Sequence, residues 1–225
     1  MQVFFEKREE LVPGVWQYFF RPERPLDFVP GQYISLSLPE VVDDPRGGSR
    51  VFTLTSLPAD AAYNISFVLK YGSPISHYKQ RLQALEPGDQ AMIGDAMGDL
   101  VLPKNTDIPL VFIAGGIGIA SYISMLSSLI EQREQRSIFL FYSLKSGREQ
   151  IFRDVTNAYP LALKTIAIAP NRLTAAQIKN TTPPNAQIYV SGSESFVDSL
   201  CKGLVSLGIH RDQLVFDFFD GYTEL

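Results

Sequence analysis

The chain has 225 residues, 45% of them hydrophobic and 20% charged, with 20 Lys+Arg against 24 Asp+Glu for a formal net charge of −4. At roughly 150 residues per domain this length gives one large or two compact domains, and the apolar share excludes wholesale disorder. No basic excess advertises a nucleic-acid partner. A single cysteine, Cys201, excludes an intramolecular disulfide framework and a cysteine-held iron–sulfur cluster, and points to a reducing, cytoplasmic setting. His77 and His210 lie far apart without metal-ligand spacing, so no metal site is expected. The first eight residues, Met1 to Arg8, turn charged too early for a secretory signal.

In chain order, Val15–Phe20, Tyr33–Leu38, Val51–Thr55, Ile65–Leu69 and Ala91–Ile93 read as short strands. Pro30-Gly31, Arg46-Gly47-Gly48 and Pro87-Gly88-Asp89 punctuate them. One helix is expected between Ser76 and Leu85, capped by Ser76. Many short strands with one helix predict a small antiparallel β-barrel over residues 1–104.

After Pro103-Lys104-Asn105-Thr106-Asp107 strands and helices alternate. Leu110–Ala114 reads as a buried strand, followed by a helix ending near Arg136. Strand Ile138–Tyr142, helix Gln150–Ala158, strand Leu163–Ala169 and a Thr-capped helix Thr174–Lys179 come next. Strand Ile188–Val190, helix Glu194–Leu207 and strand Leu214–Phe219 complete an α/β domain with a parallel sheet over 105–225. Residues 108–130 carry no charge and are long enough to span a bilayer. Their pattern instead divides into a strand, a glycine turn and an amphipathic helix with Ile119, Ile123, Leu126 and Ile130 on one face and Ser121, Ser124 and Ser128 on another. No membrane span is expected.

Two strand-to-helix turns carry glycine, Gly115-Gly116-Ile117-Gly118 and Ser191-Gly192-Ser193. Both fall at the carboxyl edge of the expected sheet, where ligands of open parallel sheets bind and helix N-termini offer amides to phosphate. The spacing departs from the ordinary GxGxxG fingerprint, and glycine also serves plain packing at such turns. In the first half, Arg50-Val51-Phe52-Thr53 places a cation, a ring and a hydroxyl on one strand, and Ser73-Pro74-Ile75-Ser76 opens a helix.

Taken in order, these segments resemble the ferredoxin–NADP reductase family of flavoproteins over nearly the whole chain. Pro30-Gly31-Gln32-Tyr33 is similar to an early barrel motif, and Arg50-Val51-Phe52-Thr53 to the Arg-x-Tyr-Ser/Thr motif that binds FAD. Gly94 to Leu100 is similar to the strand end that closes the barrel, and Gly115 to Ala120 to the nicotinamide-dinucleotide turn. Val190-Ser191-Gly192-Ser193 resembles the Cys-Gly-Pro element, and Asp217-Phe218-Phe219 the terminal acidic-x-Phe.

The resemblance implies FAD and NAD(P)H as cofactors. Arg50 would pair with the FAD pyrophosphate, with Val51, Ile75 and Ser76 beside it. Phe52 would lie against the flavin and Thr53 near its N5. Val68, Leu69 and Lys70 would follow the FAD chain, and Phe219 or Tyr222 would cover the other flavin face. Gly115, Gly116, Gly118, Ser191 and Gly192 would hold the nicotinamide dinucleotide. Thr53, Ser191 and Tyr222 would stand at the chemistry, hydride passing from nicotinamide to flavin and electrons onward to an unidentified protein or small-molecule acceptor. Lys145, Arg148 and Arg172 are the candidates for a 2′-phosphate, or else solvated loop charges.

The departures are Phe52 for the family tyrosine, Ser121 for a proline, and Ser191 and Ser193 for the cysteine and proline of Cys-Gly-Pro. The expected activity is that of an FAD-dependent NAD(P)H oxidoreductase. Its alternatives are a non-catalytic electron-transfer subunit or redox-sensing flavoprotein acting only with a partner, and a nucleotide-binding module without flavin.

Overall fold

A computed structural model describes residues 1–39, 41 and 44–219. The chain divides into two compact units, Met1–Val101 and Leu102–Leu225.

The first unit contains β1 (Gln2–Val12), β2 (Val15–Pro22), β3 (Tyr33–Ser37), β4 (Ser49–Thr53), β5 (Ile65–Lys70), α1 (His77–Gln83) and β6 (Gln90–Ile93). Its six strands are antiparallel in the order β4-β3-β6-β1-β2-β5. The expected barrel is not closed. β4 ends at Thr53, and among the described residues the ladder between the two edges is reduced to an isolated bridge, Leu54 to Phe67. The strand β1, absent from the sequence reading, is masked there by the charged run Glu6 to Glu10. Its first half still alternates, burying Val3 and Phe5, while the charged half extends as a hairpin arm against β2.

Alternation on these strands delivers an aromatic core. Phe67 stacks on Phe52 at 4.1 Å between centroids, on Phe20 at 5.7 Å and on Tyr18 at 5.8 Å. Tyr78 of α1 is fully buried and donates its hydroxyl to the Leu36 carbonyl at 2.8 Å, which docks the helix on the sheet. Ser76 is the N-cap of α1, its Oγ accepting from the Lys79 amide.

The second unit contains β7 (Leu110–Gly115), a 3₁₀ turn (Gly116–Ile119), α2 (Ala120–Glu131), β8 (Ile138–Leu144), α3 (Arg153–Ala158) and β9 (Leu163–Ile168). It continues through α4 (Ala175–Thr181), β10 (Gln187–Ser193), α5 (Glu194–Ser206) and β11 (Leu214–Phe219). All five strands are parallel, in the order β11-β10-β7-β8-β9. The chain runs outward from β7 to β8 and β9, then crosses to β10 and β11. The topological switch therefore lies between β7 and β10.

Helix α2 stops at Glu131 rather than near Arg136, because Arg133 adopts a left-handed conformation and the Glu134 amide turns back to the Leu129 carbonyl. α4 begins with the capping box Thr174–Gln177. Among the described residues no helix is long and apolar enough to cross a membrane. The serine stripe of α2 is not a solvent face: Ser121 and Ser124 are fully buried and Ser128 nearly so. The helix is enclosed on almost all sides, and short hydroxyls can be satisfied locally where longer polar groups could not.

Phe67 touches three rings of the first unit, so Phe67→Ala is expected to destabilise that unit by about 3–5 kcal/mol. Urea unfolding followed by near-UV circular dichroism would report the loss as an earlier transition.

Candidate functional site

In the first unit, Arg50 and α1 converge on a single buried carboxylate. Arg50 Nη2 donates to Asp44 Oδ1 at 2.5 Å, and Nη1 reaches the carbonyls of Arg46, Gly47 and Ser49 at 3.1, 2.8 and 2.6 Å. The Arg46 amide donates to Asp44 Oδ1 at 3.0 Å, and the Tyr78 amide, in the first turn of α1, to Oδ2 at 3.1 Å. The guanidinium also lies over the Tyr78 ring, 4.9 Å from its centroid. The Asp44 side chain is 1% exposed. Desolvation pushes its carboxyl upward, but the amide hydrogen bonds and the Arg50 guanidinium outweigh that and hold it below the ordinary carboxylate range. Burial pushes the Tyr78 hydroxyl far up, so it stays a neutral donor.

The other expected flavin residues are distributed as follows. Val51 is 60% exposed, while Phe52 is 9% exposed with its ring committed to the Phe67 stack, so most of it serves the core. Thr53 is buried, next to a hydroxyl network in which Thr55 Oγ1 and Ser66 Oγ lie 2.9 Å apart and both accept from Gln17. Val68 and Leu69 are buried on β5 and Lys70 is exposed, its carbonyl taking the Lys79 ammonium at 2.8 Å. β5 is an edge strand, so beyond Phe67 its second edge lies outside the ladder. Ile75 is half-buried and Ser76 buried at the helix start.

In the second unit both glycine turns stand at the carboxyl ends of β7 and β10, on either side of the switch. Their glycines have separate reasons. A Cβ on Gly118 would lie 2.2 Å from the Ser191 carbonyl oxygen, and one on Gly115 or Gly192 would lie 2.8 Å from the Phe196 ring. Packing accounts for these three. Gly116 differs: φ is +55° and nothing lies within 4 Å of the added atom. Its backbone conformation favours glycine, and it faces open space.

Ser191 is fully buried, and its Oγ lies 3.0 Å from Ser121 Oγ. Two positions that depart from the family pattern thus pair with each other and tie β10 to the first turn of α2. Lys145 and Arg148 follow the carboxyl end of β8 and Arg172 that of β9, all three exposed. The backbone of Phe219 ends β11 opposite Ser193. Tyr222 lies outside the described residues.

Sequence reasoning missed Asp44 and Phe196. The Arg50–Asp44 spacing carries no periodic signal, and Phe196 marks itself only by facing two glycines. A groove of about 680 Å³ runs between α5 and β11, lined by Val197, Cys201, Val205, Leu214 and Phe216. None of these residues was expected at a site, and the groove does not coincide with the Arg50 cluster.

No protein-family model matches the chain. It is 23% identical over 239 residues to flavohemoprotein A of Dictyostelium discoideum, covering 98% of this chain and 60% of that protein. Among solved structures, the flavohem-like FAD/NAD-binding domain of nitric oxide dioxygenase from Vibrio cholerae superposes with a TM-score of 0.79 at 16% identity, over 98% of both chains. Ferredoxin–NADP⁺ reductase from Plasmodium falciparum with 2′P-AMP gives a TM-score of 0.79 at 15% identity, over 97% of this chain and 95% of that one. The chain shares the fold of these two structures. It spans about three-fifths of the length of the curated relatives it first matches.

The residues present fit FAD and a nicotinamide dinucleotide on two observations. Arg50 and the α1 amide already hold an anionic oxygen pair, as a pyrophosphate would require. Gly116 leaves a turn open at the switch point of the parallel sheet.

Ser191→Ala would leave the Ser121 hydroxyl buried without its partner, an expected loss of about 1–3 kcal/mol. Adding Ser121→Ala should recover part of it, with a coupling of about 0.5–3 kcal/mol in a double-mutant cycle read by urea denaturation. Independent losses that simply add would show the pair to be incidental. The lowered Asp44 carboxyl sets an acid limb as well. Its contribution is present in full above the ordinary carboxylate value and is lost as pH falls through the depressed native one. The melting temperature of the wild type should therefore fall toward that of Asp44→Asn across this window, as a pH series of thermal scans would show.

Proposed function

We propose that this chain is an FAD-dependent NAD(P)H oxidoreductase that passes electrons to a protein or small-molecule acceptor. The observation carrying this reading is the union, in one chain, of an antiparallel unit whose Arg50 and α1 start bind an anion with a parallel sheet whose switch point holds two glycine turns. The relatives agree with it: one is named a flavohemoprotein and one structure a ferredoxin–NADP⁺ reductase. When bound, FAD supplies the capacity to take two electrons from a nicotinamide and release them to an acceptor.

The roles of the chain's own residues follow from their positions. Arg50, with the Tyr78 amide and Ser76, binds the pyrophosphate. Val51 and Ile75 flank it, and Val68, Leu69 and Lys70 of the edge strand β5 follow the rest of the FAD. Phe52 and Thr53 bound the flavin pocket, Phe52 also anchoring it to the aromatic core. Gly116 lets the dinucleotide approach the turn, while Gly115, Gly118 and Gly192 let the turn and β10 close on each other. Ser191 acts here by fixing that turn through Ser121. The resemblance alone, and not position, assigns Phe219 or Tyr222 to covering the flavin, and Tyr222 lies outside the described residues. Residues 1–104 form the flavin domain and 105–225 the nicotinamide domain. Lys145 and Arg148, after β8, and Arg172, after β9, recognise a 2′-phosphate. The single cysteine fits a cytoplasmic setting.

A second reading, a module of this fold that holds no flavin, is favoured by one observation: Arg50 is engaged with Asp44 and Phe52 with the core. An anaerobic visible spectrum of protein mixed with FAD, before and after NADH or NADPH, separates them. Bleaching by either nucleotide is expected. Bound flavin that stays oxidised would leave only the partner-dependent electron-transfer protein or redox sensor, and failure to bind FAD would favour the second reading. Removing both charges, Lys145→Ala with Arg148→Ala, should weaken NADPH about tenfold or more and leave NADH unchanged in the same assay. Equal weakening of both would show these cations to be solvated loop charges.

A further inference from the structure

An arginine expected to receive a pyrophosphate is, in this chain, already satisfied by a carboxylate from its own loop. Asp44 takes one guanidinium nitrogen, the Arg46 amide and the Tyr78 amide, and its side chain is 1% exposed. A second guanidinium nitrogen, Nη1, is occupied by three carbonyls of the same loop, those of Arg46, Gly47 and Ser49. The carboxylate spans Arg50 and the first turn of α1, the two groups a phosphate would bridge. Both anions need the same positive charge and the same amide. A phosphate brought up beside Asp44 would meet like charge in a poorly hydrated site, where repulsion is weakly screened.

We propose that Asp44 is a built-in anion occupying the pyrophosphate-binding site, which a dinucleotide must displace in order to bind. The proposal rests on the flavin reading for the identity of the displacing ligand, but the site itself is a property of Arg50, Arg46 and Tyr78. Two consequences follow. FAD binds this chain as an exchangeable ligand rather than a permanently held group, because part of its binding free energy goes into expelling Asp44. Selectivity is also raised: a flavin without a pyrophosphate offers nothing to exchange for the carboxylate, so the Arg50 cluster stays closed to it.

The test uses the full chain and Asp44→Asn, a near-isosteric change that removes the charge and keeps an acceptor oxygen for Arg50. Inorganic pyrophosphate and FAD are titrated separately by calorimetry, with riboflavin as a control lacking phosphate. The expected result is that Asp44→Asn binds pyrophosphate about tenfold or more tightly than wild type, gains similarly for FAD, and is unchanged for riboflavin. Unchanged or weaker pyrophosphate binding overturns the proposal, because Asp44 would then be an organiser of Arg50 rather than a competitor. The two readings fail separately. A gain for pyrophosphate with no FAD binding by either protein would support the occupied anion site and sink the flavin reading. Equal FAD binding by both proteins, with no gain for pyrophosphate, would do the reverse.

Should Asp44→Asn fail to fold, the wild type gives a second readout. At saturating FAD the backbone amide resonances of Tyr78 and Arg46 must move as the carboxylate leaves. Amides that stay in place while FAD is bound would overturn the displacement.

Discussion

Gly118 packs against β10 so tightly that a Cβ there would lie 2.2 Å from the Ser191 carbonyl oxygen. The architecture of the second unit depends on that approach. The turn after β7 can reach the neighbouring strand only because no side chain intervenes, and Phe196 then lies over Gly115 and Gly192 from the start of α5. With that corner closed, the Ser121–Ser191 hydrogen bond fixes α2 to β10, and the sheet's switch point is rigid where a ligand would meet it. Most of the glycine in this region therefore serves the backbone's own packing. Within the turn after β7, Gly116 instead combines a left-handed conformation with open space.

The first unit solves a different problem. Its sheet does not close, and its aromatic rings fill the interior that closure would otherwise define. Phe52 belongs to that stack, which couples the strand carrying Arg50 directly to the core. Burial then governs the charge: Arg50 and Asp44 can share a dry site because the guanidinium fork, two amides and the loop carbonyls satisfy the pair together. A lone buried ion at either position would be strongly destabilising. The same arrangement that makes the pair stable makes the site selective for an anion able to replace the carboxylate.

Much of this was legible in the chain. Short β-type runs between turn residues mark most strands of the first unit and short apolar runs most of the second, and the Ser76 and Thr174 caps follow from hydroxyls placed before helical periodicity. The β1 strand was not legible, because five consecutive charged residues hide a pattern that only pairing with β2 reveals. The serine face of α2 reads as the polar side of an amphipathic helix, yet it is buried. Periodicity says that residues share a side, but it cannot say whether that side meets water or protein. Likewise, barrel closure depends on where β4 ends relative to β5, a register relation between distant segments.

The sequence by itself determined the two-part grammar, the places where glycine interrupts strand and helix, and the absence of cysteines for a cluster or disulfide framework. These are local properties, encoded in spacing and residue type. Tertiary structure decided what each marked residue touches. It set Asp44 on Arg50, Ser191 on Ser121 and Phe196 over two glycines, contacts that no periodicity encodes. The physical reason is common to all three: such contacts join segments brought together only when their strands and helices pack, so their partners are written in the fold rather than in the neighbouring sequence.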